Sequence, residues 1–197
     1  MLTHAIILLL VVRSVAPGPI SAVGPDSAFN ACSAASVDET ASKKAAADAE
    51  TYYRRLIAQN RDDLRAQILL ARTLSQCVMS HASVWSKERI VKESNSLLIE
   101  ALKRDSTSWE ARYTLALNYY HAPAFFGWAD NAIREFEHLL AQQGDQTLFA
   151  EQAKPYLYLG ILYNKKGRHA DAKAVWQRGS RLFPDDEKLR QRTTAQP

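Results

Sequence analysis

Glycine is scarce, with seven in 197 residues and no two closer than six positions. That spacing excludes loops that cradle phosphates with successive backbone N–H groups, because GxGxxG and GxxxxGK motifs both need clustered glycines. The GxSxG, HExxH and CxxC patterns are absent as well. The histidines, His4, His81, His121, His138 and His169, never fall at the i, i+3 or i+4 spacing that converges on a metal, so neither a metal site nor a cofactor is expected. No Ser, Cys or Thr sits in a nucleophile motif, and the paired acids fall at helix starts, where carboxylates favour the positive helix end. Catalysis is therefore not the expected activity. Nor does any apolar run approach the ~20 residues that span a bilayer.

What remains is the composition of a globular chain, 47% hydrophobic and 23% charged, which argues against general disorder. The net charge of +4 is concentrated towards one end: residues 165–192 hold nine Lys or Arg against four acids. Two readings are open, the solvated outer face of a terminal helix pair and a surface that meets an anionic partner or membrane. No nucleic-acid-binding motif accompanies it, so nucleic acid is not an expected partner.

The most informative stretch is residues 154–184. Tyr156, Leu159 and Tyr163 recur at helical spacing and put an apolar stripe on one helix, with Gly160 among them. Ala172, Val175, Trp176 and Gly179 do the same for a second helix. Gly167 is the natural stop between the two, Pro155 suits a first helical turn, and Pro184 closes the unit. Neither helix can bury its stripe alone, so further hairpins are required.

This order of large, small and turn residues, Tyr156-x2-Leu159-Gly160-x2-Tyr163, Gly167, Ala172-x3-Trp176, Gly179 and Pro184, resembles the tetratricopeptide repeat, a two-helix hairpin that stacks into a solenoid. The resemblance implies an all-α fold of about three hairpins, an N-terminal half-repeat and a C-terminal capping helix. Upstream units align to it through the small residue at the helix crossing. That residue recurs at Ala49, Ser94, Ala132 and Ala172, with gaps of 45, 38 and 40. Each gap exceeds the ~34 of the standard repeat, and the departures sit in loops, among them residues 79–86 in the first gap and the turn HAPAFFGWAD in the second.

That turn carries Pro123, Phe125, Phe126 and Trp128 around Gly127, and it faintly resembles a turn of envelope repeat proteins, among them accessory subunits of solute transporters. Two roles are open to it, an apolar plug on the hairpin end and an aromatic ligand site.

The domain organisation expected is a signal peptide over residues 1–22, built on the run AIILLLVV at 5–12, a flexible leader over 23–38, repeats over 39–193 and a tail over 194–197. The same run is also open to reading as an uncleaved anchor or a buried first strand; as a signal it implies export, and with the envelope resemblance the compartment expected is a bacterial periplasm. Three fates are open to Cys32: a disulfide to Cys77, lipid attachment at the weak box Phe29-Asn30-Ala31-Cys32, or a free thiol.

The resemblance further implies a groove lined by the first helix of each pair. Helical phase assigns to it Arg65, Ile68, Arg72 and Gln76 from the first hairpin, and Glu110, Tyr113, Leu117, Tyr120 and His121 from the second. The third supplies Lys154, Leu157, Ile161, Asn164 and Lys165. The function expected is a non-catalytic adaptor of the cell envelope, holding a peptide or helix of a protein partner in that groove, with peripheral contact to an envelope complex. The alternative is a small-molecule-binding or transport accessory that uses the aromatic turn 121–130.

Overall fold

The computed structural model describes residues 25–34, 38–143 and 149–194. The expected signal peptide lies outside them. Nine α-helices and three short 3-10 turns, with no strand, make up the described residues. The helices are α1 (Pro25–Ala34), α2 (Glu39–Gln59), α3 (Leu64–Gln76), α4 (Val84–Arg104), α5 (Trp109–His121), α6 (Ala129–Gln142), α7 (Ala153–Lys165), α8 (His169–Leu182) and α9 (Glu187–Thr194). Consecutive helices pack pairwise as α1·α2, α3·α4, α5·α6 and α7·α8, and each pair packs on the next. This is a helical-hairpin solenoid.

Local chemistry sets the helix ends. Asp38 and Asp63 cap α2 and α3 by accepting the N–H groups of Thr40 (2.8 Å) and Ala66 (2.9 Å). At the end of α7, Gly167 adopts φ 75°, a left-handed conformation that suits glycine, while Arg168 N–H donates to the Tyr163 carbonyl at 2.8 Å. This Schellman cap turns the chain straight into α8. The four small residues used to align the repeats, Ala49, Ser94, Ala132 and Ala172, are all buried, so the register read from them holds along the whole stack.

The core runs as three linked clusters. An N-terminal cluster centres on Tyr53, Leu69, Leu70 and Leu74. A middle cluster joins α3, α4 and α5 through Ile68, Ala71, Leu98, Ala101 and Leu115. A C-terminal cluster holds Phe136, Leu139, Tyr156, Leu159 and Trp176. The signature residues Tyr156, Leu159, Tyr163, Ala172 and Trp176 are core, while Gly167 and Pro184 sit exposed at chain reversals.

Gly160 has a more specific task than letting two backbones approach. The Trp176 indole lies across it and donates Nε1–H to the Leu157 carbonyl at 3.2 Å. A Cβ at residue 160 would stand 2.1 Å from that Nε1. Gly160→Ala is therefore expected to destabilise by about 2 kcal/mol, the overpacking penalty less the helix propensity regained. Urea unfolding measures it, and an unchanged midpoint would contradict the indole placement.

Two expectations at the N-terminus need correction. Residues 25–34 of the expected flexible leader form α1, which packs on both α2 and α3. Phe29 and Cys32 are buried there, and Phe29 N–H donates to the Tyr53 hydroxyl at 2.9 Å. In consequence α2 is no half-repeat, because α1 supplies the short first helix of its hairpin. Cys32 is bonded to Cys77 with Cα atoms 6.0 Å apart, so the described fold uses it as a cross-link from α1 to the end of α3.

The C-terminal helix α9 is charged, as expected of a cap, but it is anchored by Leu189, which is fully buried beside Gly179. It extends to Thr194, one residue beyond the expected repeat boundary; residues 195–197 lie outside the described ones. Much of the basic excess is locally engaged. Lys166 pairs with Asp130 and Arg168 with Asp171, while Arg178 and Arg192 lie over the rings of Tyr156 and Trp176.

Candidate functional site

A cleft of about 1260 Å³ opens along α5. Its sides are α3 and α7, so the first helices of three successive hairpins border it, as solenoid geometry requires. Of the residues expected on α3, Arg72 and Gln76 line it. From α5 come Glu110, Tyr113, Leu117 and His121, and from α7 comes Lys154.

The remaining expected residues lie elsewhere, for identifiable reasons. Ile68 is only 4% exposed and belongs to the middle core, and Leu157 is 8% exposed and belongs to the C-terminal core. On α7 the cleft-facing aromatic is Tyr158, one position further on, a rotation of about 100°. Tyr120 packs on Tyr158 and Phe136, with centroids 4.6 and 6.3 Å away, and so supports the wall from behind. Ile161 packs against the same core, Asn164 bonds His169 Nδ1 at 2.7 Å, and Lys165 reaches over the Tyr120 ring. Arg65 stands outside the cleft and pairs with Asp26 and Glu110.

One end of the cleft is closed electrostatically. Glu110 receives both Arg65 and Arg72, while Arg72 also lies 3.9 Å from the centroid of the Phe29 ring on α1. Asp26 on α1 completes the group, so both guanidinium charges are already matched by carboxylates. No free positive pair remains there to grip a terminal carboxylate.

The floor is tied together by a buried polar chain. Asn118 donates to Ser94 Oγ (2.9 Å) and Asn95 Oδ1 (2.8 Å), and Ser94 donates to the Ala71 carbonyl at 2.8 Å. These bonds join α3, α4 and α5 beneath the cleft and leave the edge of Asn118 bordering it. Burial pushes the Tyr113 and Tyr120 phenols up from their ordinary value and holds His121 below the usual histidine range, which favours the neutral imidazole.

The residues of the aromatic turn divide into two sets. Phe126 stacks on Trp128 with centroids 4.6 Å apart, and Trp128 meets Tyr119 edge-on at 5.5 Å, so this pair plugs the end of the α5·α6 hairpin. Gly127, at φ 69°, turns the chain between them. Pro123, Phe125 and Phe126 border the cleft while Trp128 does not, and Phe125 is 83% exposed.

Sequence reasoning missed part of the lining. Val84 and Trp85, in the first turn of α4, are 80% and 92% exposed and line the same cleft, next to Met79 and Ser80 of the long loop. The available signal was a pair of large apolar residues just after an extended loop, at a helix start where polar residues are usual. Trp109 also lines the cleft, stacked on Tyr113 at 4.6 Å. Among the described residues no three His, Cys, Asp or Glu side chains form a metal cradle, and no helix is long and apolar enough to cross a membrane.

Comparison with known proteins gives fold-level similarity. No protein-family model matches the chain, and no curated protein matches it significantly. Among solved structures it is similar to TTC0263, a thermophilic tetratricopeptide protein of Thermus thermophilus, at 17% identity and TM-score 0.58, over 86% of this chain and 79% of that one. It is similar to MamA at 17% identity and TM-score 0.58, over 79% of each chain. A second MamA structure, from AMB-1, gives 16% identity and TM-score 0.51 over 90% of this chain and 82% of that one. The fold is thus a tetratricopeptide-like all-α solenoid.

Proposed function

We propose that this protein is a non-catalytic adaptor of the cell envelope that holds a peptide or helix of a partner protein in the cleft along α5. The observation that carries this reading is the cleft itself: about 1260 Å³, bordered by three successive first helices, with aromatic and aliphatic side chains making up half of its lining residues. The Cys32–Cys77 bond supports export, since structural disulfides persist in oxidising compartments.

Site-specific photocrosslinking tests the proposal. A benzophenone amino acid at Gln76, exposed at the cleft, is expected to yield one discrete adduct in cells, mapped to a single linear segment of a partner. The same probe at Lys173, on the exposed side of α8, should give none. Equal labelling from both positions, or none from Gln76, would overturn the assignment. Phe125 at the cleft mouth favours the small-molecule accessory as the second reading, and an adduct to a non-peptide species at Gln76 would select it. Mass spectrometry of the mature chain tests export separately: a start at Val23 is expected, and an intact Met1 with two free thiols would contradict it.

A further inference from the structure

The turns of the solenoid fall into two sets that differ in chemistry. Turns within the later hairpins, at residues 77–83, 122–128 and 166–168, hold no acid. Turns between hairpins, at residues 60–63, 105–108 and 183–186, hold Asp62, Asp63, Asp105, Asp185 and Asp186 against a single cation, Arg61. In a stack of antiparallel hairpins the two sets lie on opposite edges. Contacts confirm that the within-hairpin turns share one edge: Lys166 pairs with Asp130 at the start of α6 (2.8 Å), and Val84, Trp85, Phe125 and Phe126 border one space.

That edge carries the three most exposed large hydrophobic side chains among the described residues, Val84, Trp85 and Phe125. Each stands in or directly after a turn that is longer than in the standard repeat. On the other edge Phe149 and Leu182 are about half as exposed. A contiguous exposed apolar surface marks a contact with protein or membrane. Side chains that protrude this far gain from a rigid protein only where it offers matching pockets. The interfacial layer of a bilayer is fluid, and it takes up an aromatic ring without shape complementarity.

Charge favours an acidic lipid. Lys166 and Arg168 are already paired with Asp130 and Asp171 and add little. Lys87, two residues after Trp85, is exposed, and its neighbouring carboxylate Glu88 is held by Lys92. Lys165 lies over the Tyr120 ring, not against a carboxylate. The turn of the first hairpin contributes Asp38, which is engaged in capping α2. An acidic surface would therefore attract this edge and repel the edge that bears the aspartates, which selects one orientation.

We infer that the edge built from the within-hairpin turns docks on a lipid bilayer with acidic headgroups. Val84, Trp85 and Phe125 enter the interfacial layer, while Lys87 and Lys165 meet headgroup phosphates. The extended loops are then the lipid contacts, and the cleft along α5 opens beside the membrane. This docking stands apart from what the cleft holds.

Flotation of the full chain with vesicles tests it, using phosphatidylglycerol mixed with phosphatidylcholine against phosphatidylcholine alone. Binding is expected to the mixed vesicles, to fall at high salt, and to be weaker on the neutral ones. Trp85→Ser with Phe125→Ser should weaken binding at least about tenfold. Because both side chains are exposed, Tm should move by no more than about 2 °C. Lys87→Glu should weaken binding to the acidic vesicles alone, and Leu182→Ser, on the other edge, should change nothing. Absence of binding, or equal binding to both vesicles, would overturn the inference. Full-strength flotation of the double variant would overturn it too, and would assign lipid contact to the apolar run at residues 5–12, which both proteins carry. A dimer in sedimentation that the double variant abolishes would instead assign the patch to a second copy of the chain. Flotation is read without any peptide, so its failure leaves the cleft proposal standing.

Discussion

Removing the Cys32–Cys77 bond, by Cys32→Ala with Cys77→Ala, is expected to lower stability by about 4 kcal/mol. The two cysteines are 45 residues apart, and closing a loop of that length removes this much conformational freedom from the unfolded chain in the loop-entropy picture. The loss should be local. In a solenoid each hairpin contacts only its neighbours, and besides the disulfide α1 is held by its packing on α2 and α3 through Phe29 and Ala28, by Arg72 over the Phe29 ring, by the Phe29 N–H bond to Tyr53 and by the Asp26–Arg65 pair. Hydrogen exchange should therefore show protection falling in α1 and α2 while α7 and α8 keep theirs. Urea unfolding with and without reductant measures the total. A midpoint that does not respond to reductant would show that the bond is absent from the native protein.

Phe136→Ala is expected to cost about 4 kcal/mol at the opposite end of the stack. Phe136 is fully buried on α6, and deleting a buried phenyl ring forfeits its transfer energy and leaves a cavity that the surrounding helices only partly fill. Its neighbours include the Tyr120 and Tyr158 rings, 6.3 and 5.9 Å away by centroid, so the cavity also undermines the wall of the cleft. On the proposed function the variant should lose peptide affinity as well as stability, and its C-terminal hairpins should unfold before the disulfide-linked ones. Phe125→Ala is the matched control. The same chemical change eleven residues away, at a side chain exposed to water, should alter stability by less than about 0.5 kcal/mol. Comparable losses at both positions, read by urea titration, would refute the assignment of one ring to the core and the other to the cleft mouth.

The contrast between those two phenylalanines marks the boundary of what was legible. The hairpin architecture was readable because it rests on local regularities. Apolar residues recurred at 3.6 spacing, a small residue marked each crossing, and Asp63 and Gly167 stood where helices start and stop. The pairing of Cys32 with Cys77 needed only that the two thiols be oxidised, since no other cysteine competes. The leader was misjudged because its small and polar residues carry weak periodicity, and α1 is ordered by contacts with α2 and α3.

The groove was half legible. On α5 the apolar character extends around most of the helix: Leu115 and Ala116 enter the core, and Tyr113 and Leu117 line the cleft. When several faces of a helix are covered by neighbours, hydrophobic phase no longer separates the core side from the cleft side. The same ambiguity put Leu157 in the expected groove and left Tyr158 out of it. Trp85 was invisible for a different reason, since where the lip of a loop stands depends on the packing of the two hairpins that flank it.

The sequence by itself thus determined the class of fold, the register of the repeats and the positions where the hairpins depart from a standard length, because each follows from interactions within about one helical turn or one hairpin. Only the tertiary structure decided that both extended hairpin loops border one cleft, and that Gly160 exists to admit the Trp176 indole. Those facts depend on side chains from different hairpins meeting in space, and no spacing along the chain encodes such a meeting.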